Sequence, residues 1–181
     1  MREIISSMEG EWHRYKRLGE GAFRQLRDDE LGKSGPGGSN SVATIVWHIA
    51  GNLHSRFTDF LHSDGEKPWR NRDSEFQGRE GVSRAELLEQ WDGGWQTVFG
   101  ALEKLSDEDL FHEVTIRGEK FRAHEALHRL LAHTSYHVGQ IVYLAKAFRG
   151  SEWNSLSIPR GKSEEYNRNP RGQRPPQIND N

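Results

Sequence analysis

The chain contains no cysteine among its 181 residues. This absence excludes disulfide bonds, zinc sites built on thiolates and a cysteine nucleophile. A metal site in this chain would therefore depend on histidine or carboxylate ligands.

Long hydrophobic runs are also missing. No apolar run approaches the roughly 20 residues that span a bilayer. The amino terminus is charged from Arg2 onward and has no apolar core of the kind found in signal peptides. We therefore expect a cytoplasmic protein without a membrane partner.

The chain has no large excess of charge of either sign. It carries 25 Lys and Arg against 27 Asp and Glu, for a net charge of −2. Domains that bind nucleic acid are usually clearly basic, so we expect no nucleic-acid partner. A hydrophobic fraction of only 33% with 29% charged residues indicates a slim core, as in a bundle of amphipathic helices.

Four segments show the three- and four-residue spacing of apolar residues that predicts helices. They cover about residues 2–31, 40–62, 83–105 and 123–149. Ser39 or Asn40 is expected to cap the second helix, and Ser83 with Glu86 forms a capping box for the third. Before the last helix, EVTIRGEKFR alternates apolar and polar residues around a glycine and predicts a β-hairpin.

The carboxyl end of the chain differs in composition from the rest. Beyond Pro159 it is polar, poor in aliphatic residues and interrupted by proline and glycine. We expect one helical domain over residues 1–158 and an extension over residues 159–181. The end of this extension, RNPRGQRPPQINDN, is expected to be mobile.

The histidines are the most informative residues. His133 and His137 are spaced i, i+4 in LLAHTSYHVGQIVYLAK, so both imidazoles project from one helix face about one turn apart. His48 borders the apolar stripe of the second helix, with Asn52 one turn later. Three neutral imidazoles would leave an open fourth position on a metal, as in catalytic centres. The spacing alone is also compatible with histidines at the core edge that bind no metal.

The other six of the nine histidines lack this arrangement. His54, His124 and His128 project away from the candidate ligands on ideal helices. We therefore expect these three to be dispensable for metal binding. The whole set is expected to be solvated or locally hydrogen-bonded, namely His13, His54, His62, His112, His124 and His128.

Several motifs resemble the DinB/YfiT-like superfamily, in a branch of mostly uncharacterised proteins. They are NSVATIVWHIAGN, DGEKPWRNRDSEF, VTIRGEKF, LLAHTSYHVGQIVYLAK and SLSIPRGKSEEYN, which follow one another up to about Asn167. The resemblance implies an all-α fold, an antiparallel four-helix bundle, to which the predicted small β-hairpin before the last helix is added. It also implies a homodimer, because many members pair through bundle faces.

The same resemblance implies that His48, His133 and His137 bind a divalent metal. Imidazole ligands suit zinc, nickel or iron, as well as copper. Binding should weaken as the pH falls through about 6.5, because an imidazole must be neutral to bind a metal.

Similar proteins include thiol-S-transferases that use low-molecular-mass thiols, some isomerases, and many proteins without an assigned reaction. Without a cysteine, the expected nucleophile is a water or an external thiol that the metal activates. We therefore expect a metal-dependent thiol-S-transferase or hydrolase that acts on a small-molecule substrate. The alternative is a non-catalytic bundle that binds a metal or a ligand, and no residue is singled out as the general acid or base.

The loop over residues 66–76 supplies candidate substrate-binding residues. Arg70 and Arg72 suit the carboxylates of a thiol cosubstrate, and Trp69 suits an apolar substrate group. The alternative is a loop held by ion pairs between its arginines and acidic residues.

Three further residues flank the predicted ligands. Asn52, Tyr136 and Gln140 are candidates for orienting a substrate or a water. Tyr136 fits equally well as a packing residue or a dimer contact, and Gln140 as a hydrogen-bond partner of an imidazole.

Overall fold

The computed structural model describes residues 1–170. Four long helices dominate this part of the chain: α1 (Glu3–Phe23), α3 (Val42–Phe57), α4 (Arg84–Leu102) and α5 (Ala123–Arg149). Shorter elements are α2 (Asp28–Leu31), α6 (Ser163–Arg168) and the strands β1 (Glu113–Ile116) and β2 (Glu119–Arg122). Short 3₁₀ turns cover Pro36–Gly38, Asp73–Phe76, Asp109–Phe111 and Gly150–Glu152.

Both α1 and α3 pack against α4 and against α5. The prediction of a mostly helical chain with a small antiparallel hairpin before the last long helix is confirmed. Among the helices of residues 1–170, none is both long enough and apolar enough to cross a membrane.

The first predicted helix is wrong at its end. It was expected to run to residue 31, but α1 ends at Phe23 and a turn separates it from α2. Arg27 has extended backbone, with ψ of 160°, and its N–H donates to the Glu30 carboxylate at 2.7 Å. This contact begins a new helical turn and stops α1 from continuing.

The second predicted helix is shifted at its start and too long at its end. Ser41, and not Ser39 or Asn40, caps α3 by accepting the N–H of Thr44 at 3.0 Å. The helix stops at Phe57 because Thr58 is extended and Asp59 has a positive φ of 50°. Aspartate is one of the few residues other than glycine that enter this left-handed region readily.

The third and fourth predicted helices agree better with the structure. Ser83 and Glu86 form the predicted capping box, in which the Ser83 N–H donates to the Glu86 carboxylate at 2.9 Å. The helix α4 ends at Leu102, three residues before the predicted end. The helix α5 has the predicted bounds, Ala123–Arg149.

The hairpin turns through two residues with positive φ, Arg117 at 56° and Gly118 at 74°. Such a pair is the two-residue turn that fits the twist of a hairpin. The N–H groups of both residues donate to the Asp64 carboxylate, at 2.8 and 2.7 Å. Burial raises the pKa of Asp64, but the backbone N–H donors outweigh it and lower this pKa to about 2. Asp64 thereby ties the loop after α3 to the hairpin.

The core lies between the four long helices and is rich in aromatic rings. Trp12, Trp91 and Trp95 are almost completely buried. The ring of Trp12 meets those of Phe57 and Trp95 edge-on, with centroids 5.3 and 5.9 Å apart. Edge-on contacts of this kind add to the free energy gained by burying the rings.

Residues 159–170 of the predicted extension contain the exposed one-and-a-half-turn helix α6, which the sequence did not predict. Most of the segment RNPRGQRPPQINDN lies outside the described residues. The division into a domain and an extension stays a prediction.

Candidate metal centre

The three predicted histidines converge on one point between α3 and α5. His48 lies on α3, and His133 and His137 lie one turn apart on α5. The Nε2 atom of His133 is 3.3 Å from that of His48 and 3.2 Å from that of His137. His48 and His137 are buried and His133 is half-buried. The prediction that these side chains meet is confirmed.

The separations of the His133 nitrogen from the other two fit a bound cation, and the ligand atoms of all three histidines lie within 4.8 Å of one another. Tetrahedral zinc holds imidazole nitrogens at about 2.0–2.1 Å, which places two such ligands about 3.4 Å apart. The observed separations of 3.2 and 3.3 Å are close to this value. A set of imidazole ligands suits zinc, nickel or iron, so the donor set fits the predicted metals.

The Nδ1 atoms of two histidines have partners that set the orientation of the rings. His48 Nδ1 lies 2.8 Å from Oε2 of Glu75, and His137 Nδ1 lies 2.8 Å from Oε1 of Gln140. Both partner oxygens accept hydrogen bonds, so the Nδ1 atoms carry the protons. The Nε2 lone pairs are then directed toward the common point, which is the usual arrangement behind metal-binding histidines.

Burial favours the neutral imidazole at this site. It is the main cause that lowers the pKa of His133 to about 4, with the neighbouring His137 and His48 adding to the effect. Burial also lowers the pKa of His137, despite the opposing hydrogen bond with Gln140. Both side chains are therefore neutral at neutral pH, as metal ligands must be.

Glu75 is the main site residue to which the sequence reasoning assigned no role. Burial raises its pKa, but the hydrogen bonds from His48 and Arg70 outweigh this effect and keep the pKa below its usual value. A signal in the sequence was Gly51, three residues after His48. A Cβ on Gly51 would lie 2.3 Å from Oε1 of Glu75, so only glycine leaves room for this carboxylate.

Arg70 lies on the far side of Glu75 from His48, and its guanidinium is bound to the Glu75 carboxylate. Its Nε donates to Oε1 of Glu75 at 2.8 Å, and its Nη2 donates to Oε2 at 3.1 Å. The side chain is only 2% exposed. Arg70 was predicted to bind substrate, but in this arrangement its guanidinium supports the partner of His48. The alternative of a loop held by ion pairs describes this residue better.

A second acidic residue, Glu66, forms ion pairs with three arginines near the site. Oε2 of Glu66 lies 3.0 Å from Arg56 and 3.0 Å from Arg117, and 3.8 Å from Arg70. This carboxylate therefore connects α3, the loop and the hairpin around the rear of the site. Neither Arg56 nor Arg117 was predicted from the sequence.

The histidines open into a cleft of about 610 Å³. Of the predicted substrate-binding residues, five line this cleft: Asn52, Arg70, Arg72, Tyr136 and Gln140. Trp69 is 59% exposed and does not belong to the lining.

Three of these lining residues, Asn52, Tyr136 and Gln140, lie next to the histidines. Asn52 is 7% exposed, and its Oδ1 has no hydrogen-bond partner within residues 1–170. Tyr136 is 59% exposed, with its ring centroid 4.4 Å from that of His137. The Gln140 side chain hydrogen-bonds to His137, as one of its two predicted roles required.

The remaining histidines lie elsewhere, as predicted. His54 Nδ1 pairs with the Thr97 hydroxyl at 2.8 Å, and His124 Nδ1 pairs with the Leu110 carbonyl at 2.9 Å. His128 is exposed. In the described part of the chain, the cluster of possible metal ligands consists of His48, His133 and His137 alone.

Comparison with known proteins places the chain in a family without a described activity. A family model for a protein of unknown function (DUF1572) matches residues 1–162. No curated protein and no solved structure matches the chain.

Proposed function

Because the chain belongs to the family of proteins of unknown function DUF1572, we propose its function from its own site, as a metal-dependent enzyme acting on a small molecule. The observation that carries this proposal is the convergence of three Nε2 atoms at 3.2 and 3.3 Å. The cleft of about 610 Å³ has the size of a small-molecule site.

His48, His133 and His137 would hold the metal through their Nε2 atoms. A divalent cation held by three imidazoles supplies Lewis acidity, which lowers the pKa of a water or a thiol to near neutrality. Glu75 and Gln140 fix the tautomers of His48 and His137. The carbonyl oxygen of Asn52 lies at the cleft, has no hydrogen-bond partner among residues 1–170, and would accept a hydrogen bond from the substrate.

The reaction that we propose is the transfer of a low-molecular-mass thiol, or hydrolysis. Support for an external thiol or water comes from the absence of cysteine in the chain. We also propose that the four long helices form the antiparallel bundle of the DinB/YfiT-like superfamily. The packing of α1 and α3 against both α4 and α5 supports it, as does the grouping of DUF1572 with that superfamily. The cytoplasmic location and the homodimer stay predictions.

One observation favours the second candidate, a non-catalytic metal-binding protein. The carboxylate nearest to the histidines is Glu75, and both of its oxygens are paired, with His48 and with Arg70. It is therefore poorly placed to move a proton to or from a substrate.

The test begins with metal analysis of protein purified without a chelator or a His tag. We expect about one divalent metal per chain, and a large loss in His137→Ala because one of three ligands is removed. The matched control is His128→Ala, an exposed histidine of the same helix, which should keep its metal. Full occupancy in His137→Ala would contradict the site.

Turnover then separates the two functions. Metal-loaded and metal-free protein are compared with a panel of thiols and a simple electrophile, and with generic ester and amide substrates. A rate that depends on the metal supports the enzyme. A stoichiometric metal without any metal-dependent rate would favour the non-catalytic protein.

A further inference from the structure

Within residues 1–170, two of the arginines around the cleft have no acidic partner. Five arginines belong to its lining: Arg56, Arg70, Arg72, Arg117 and Arg129. Three of them form ion pairs with Glu66 or Glu75, as described above. Over residues 1–170, neither Arg72 nor Arg129 has a carboxylate within 4.0 Å.

Each of these two guanidinium groups lies over an aromatic ring. The guanidinium carbon of Arg72 is 4.9 Å from the ring centroid of Phe76, and that of Arg129 is 5.7 Å from the ring centroid of Phe121. Both rings also line the cleft. An arginine held on a ring face keeps its N–H groups available for an anion, and its planar fork matches a carboxylate or a phosphate.

Arg72 and Arg129 both lie close to the histidine cluster. Arg129 precedes His133 by four residues on α5, so the two side chains share a helix face. Arg72 contacts Phe76, whose ring centroid is 4.7 Å from that of His48. The two arginines therefore approach the metal centre from α5 and from the loop.

The charge of the cleft is opposite to that of the whole chain. Glu66 and Glu75 balance part of the five arginines, and Glu119 is the one acidic residue of the lining itself. Counted over these arginines and carboxylates alone, the cleft has an excess of two positive charges, while the chain carries −2. A locally positive cleft attracts a small anion.

We propose that the substrate of the cleft is a small anion, whose carboxylate or phosphate group is bound by Arg72 and Arg129. The reaction of the bound anion rests on the proposed function. Its binding by the two arginines does not. The Oδ1 atom of Asn52 is buried at the cleft without a partner in the described part of the chain, and it would accept a hydrogen bond from a hydroxyl or amine of the same molecule. Arg70, by contrast, contributes through Glu75 and not through the substrate.

Calorimetric titration of the full chain as purified tests this inference, with inorganic phosphate and succinate as probes at constant ionic strength. The test variant is Arg72→Gln with Arg129→Gln. The matched control is Arg14→Gln with Arg24→Gln, which removes two exposed charges of α1 and its C-terminal end. We expect about ten-fold weaker binding in the test variant, equal to about 1.4 kcal/mol, and unchanged binding in the control.

The outcomes distinguish this inference from the proposed function because metal content is measured on the same samples. Equal affinities in wild type and test variant, or no binding of either probe, overturn the anion site and leave the metal assignment standing. Binding that depends on the two arginines in a protein without metal supports the anion site and overturns the proposed enzyme. An equal loss in the control shows a general charge effect and overturns the inference.

Single variants and a comparison of the two probes extend the titration experiment. Should the double variant lose its helical circular dichroism, the single variants Arg72→Gln and Arg129→Gln replace it, and each is expected to weaken binding by several-fold. Tighter binding of phosphate than of succinate assigns a phosphate group to the substrate, and the reverse order assigns a carboxylate.

Discussion

Glu75 controls the state of His48 although it does not touch the proposed metal. Its ionised carboxylate accepts the Nδ1 proton at 2.8 Å and so keeps the Nε2 lone pair directed at the centre. Its own charge is maintained by the two hydrogen bonds from Arg70. A buried arginine and a buried carboxylate thus serve the orientation of one imidazole.

The first prediction concerns Glu75→Gln. The amide still accepts a hydrogen bond, but it makes the imidazole a weaker base and leaves the Arg70 charge uncompensated. We expect zinc affinity to fall by about 10- to 100-fold, measured by competition with a chromophoric chelator. Glu80→Gln, at an exposed position that follows the same loop, is the control and should bind zinc like wild type. Equal affinities in both variants would contradict the role of Glu75.

The second prediction concerns pH. The sequence alone suggested that metal binding weakens as the pH falls through about 6.5, but the pKa of His133 is lowered to about 4 and that of His137 is lowered too. Protons therefore compete with the metal at His133 only near pH 4. Between these values, His133 and His137 bind fewer protons in the folded metal-free protein than in the unfolded chain. Their contribution to stability should therefore fall as the pH drops from about 6.5 toward 4.

Denaturant unfolding of the chelator-treated protein at several pH values measures this effect. Replacing His133 by Gln should flatten the dependence, because the residue that titrates abnormally is gone. The same slope in wild type and His133→Gln would show that another group causes the acid sensitivity.

At the level of elements, the site depends on how closely the loop over residues 66–76 approaches α3. The approach is possible because position 51 has no side chain. Glycine inside a helix is otherwise unfavourable compared with alanine by about 1 kcal/mol. In α3 this unfavourable residue occurs at the position where the Glu75 side chain passes the helix to contact His48.

The third prediction compares two glycine substitutions. Gly51→Ala places a methyl group 2.3 Å from Oε1 of Glu75, so the carboxylate must move away from its position beside His48. We expect a loss of zinc affinity of about ten-fold or more. In Gly100→Ala on α4, no atom of residues 1–170 lies within 4 Å of the new Cβ, so zinc binding should not change and stability should rise by up to about 1 kcal/mol. Undiminished zinc affinity in Gly51→Ala would show that Glu75 is not needed.

The elements also show how far the sequence could predict the site. Helical phase brought His133 and His137 together and placed His48 at the edge of the apolar stripe of the second helix. The resemblance then assigned all three to one metal site. Glu75 and His48 are 27 residues apart in sequence. Glu75 lies in a loop without periodicity, so helical phase could not predict that the two residues meet. Arg129, which has no acidic partner in the described residues, is different, since its spacing of four residues from His133 was visible in the sequence.

The ends of the helices were less predictable than their existence. The breaks after Phe23 and Phe57 depend on the backbone angles of Arg27, Thr58 and Asp59. No proline or glycine marks the end of α3, and apolar residues continue past it. Periodicity therefore overestimated the length of both helices.

On the scale of the whole molecule, the exposed face of α5 beside the cleft is rich in tyrosine. Tyr136 is 59% exposed and Tyr143 is 71% exposed. They are seven residues apart on one helix and therefore lie on the same face. Exposed aromatic residues are common at interfaces between proteins. This face suits the contact of the homodimer that the sequence predicts.

The last prediction is therefore a molar mass of about twice 20.8 kDa by light scattering at tens of micromolar protein. If the α5 face forms the contact, Tyr143→Lys should shift the protein toward the monomer, because a charge would be buried without a partner. Phe111→Lys is the control: Phe111 is 67% exposed and lies in the short turn before the hairpin, so the dimer should persist. A wild-type mass near 20.8 kDa would contradict the dimer. A dimer that resists Tyr143→Lys would instead move the contact to another face.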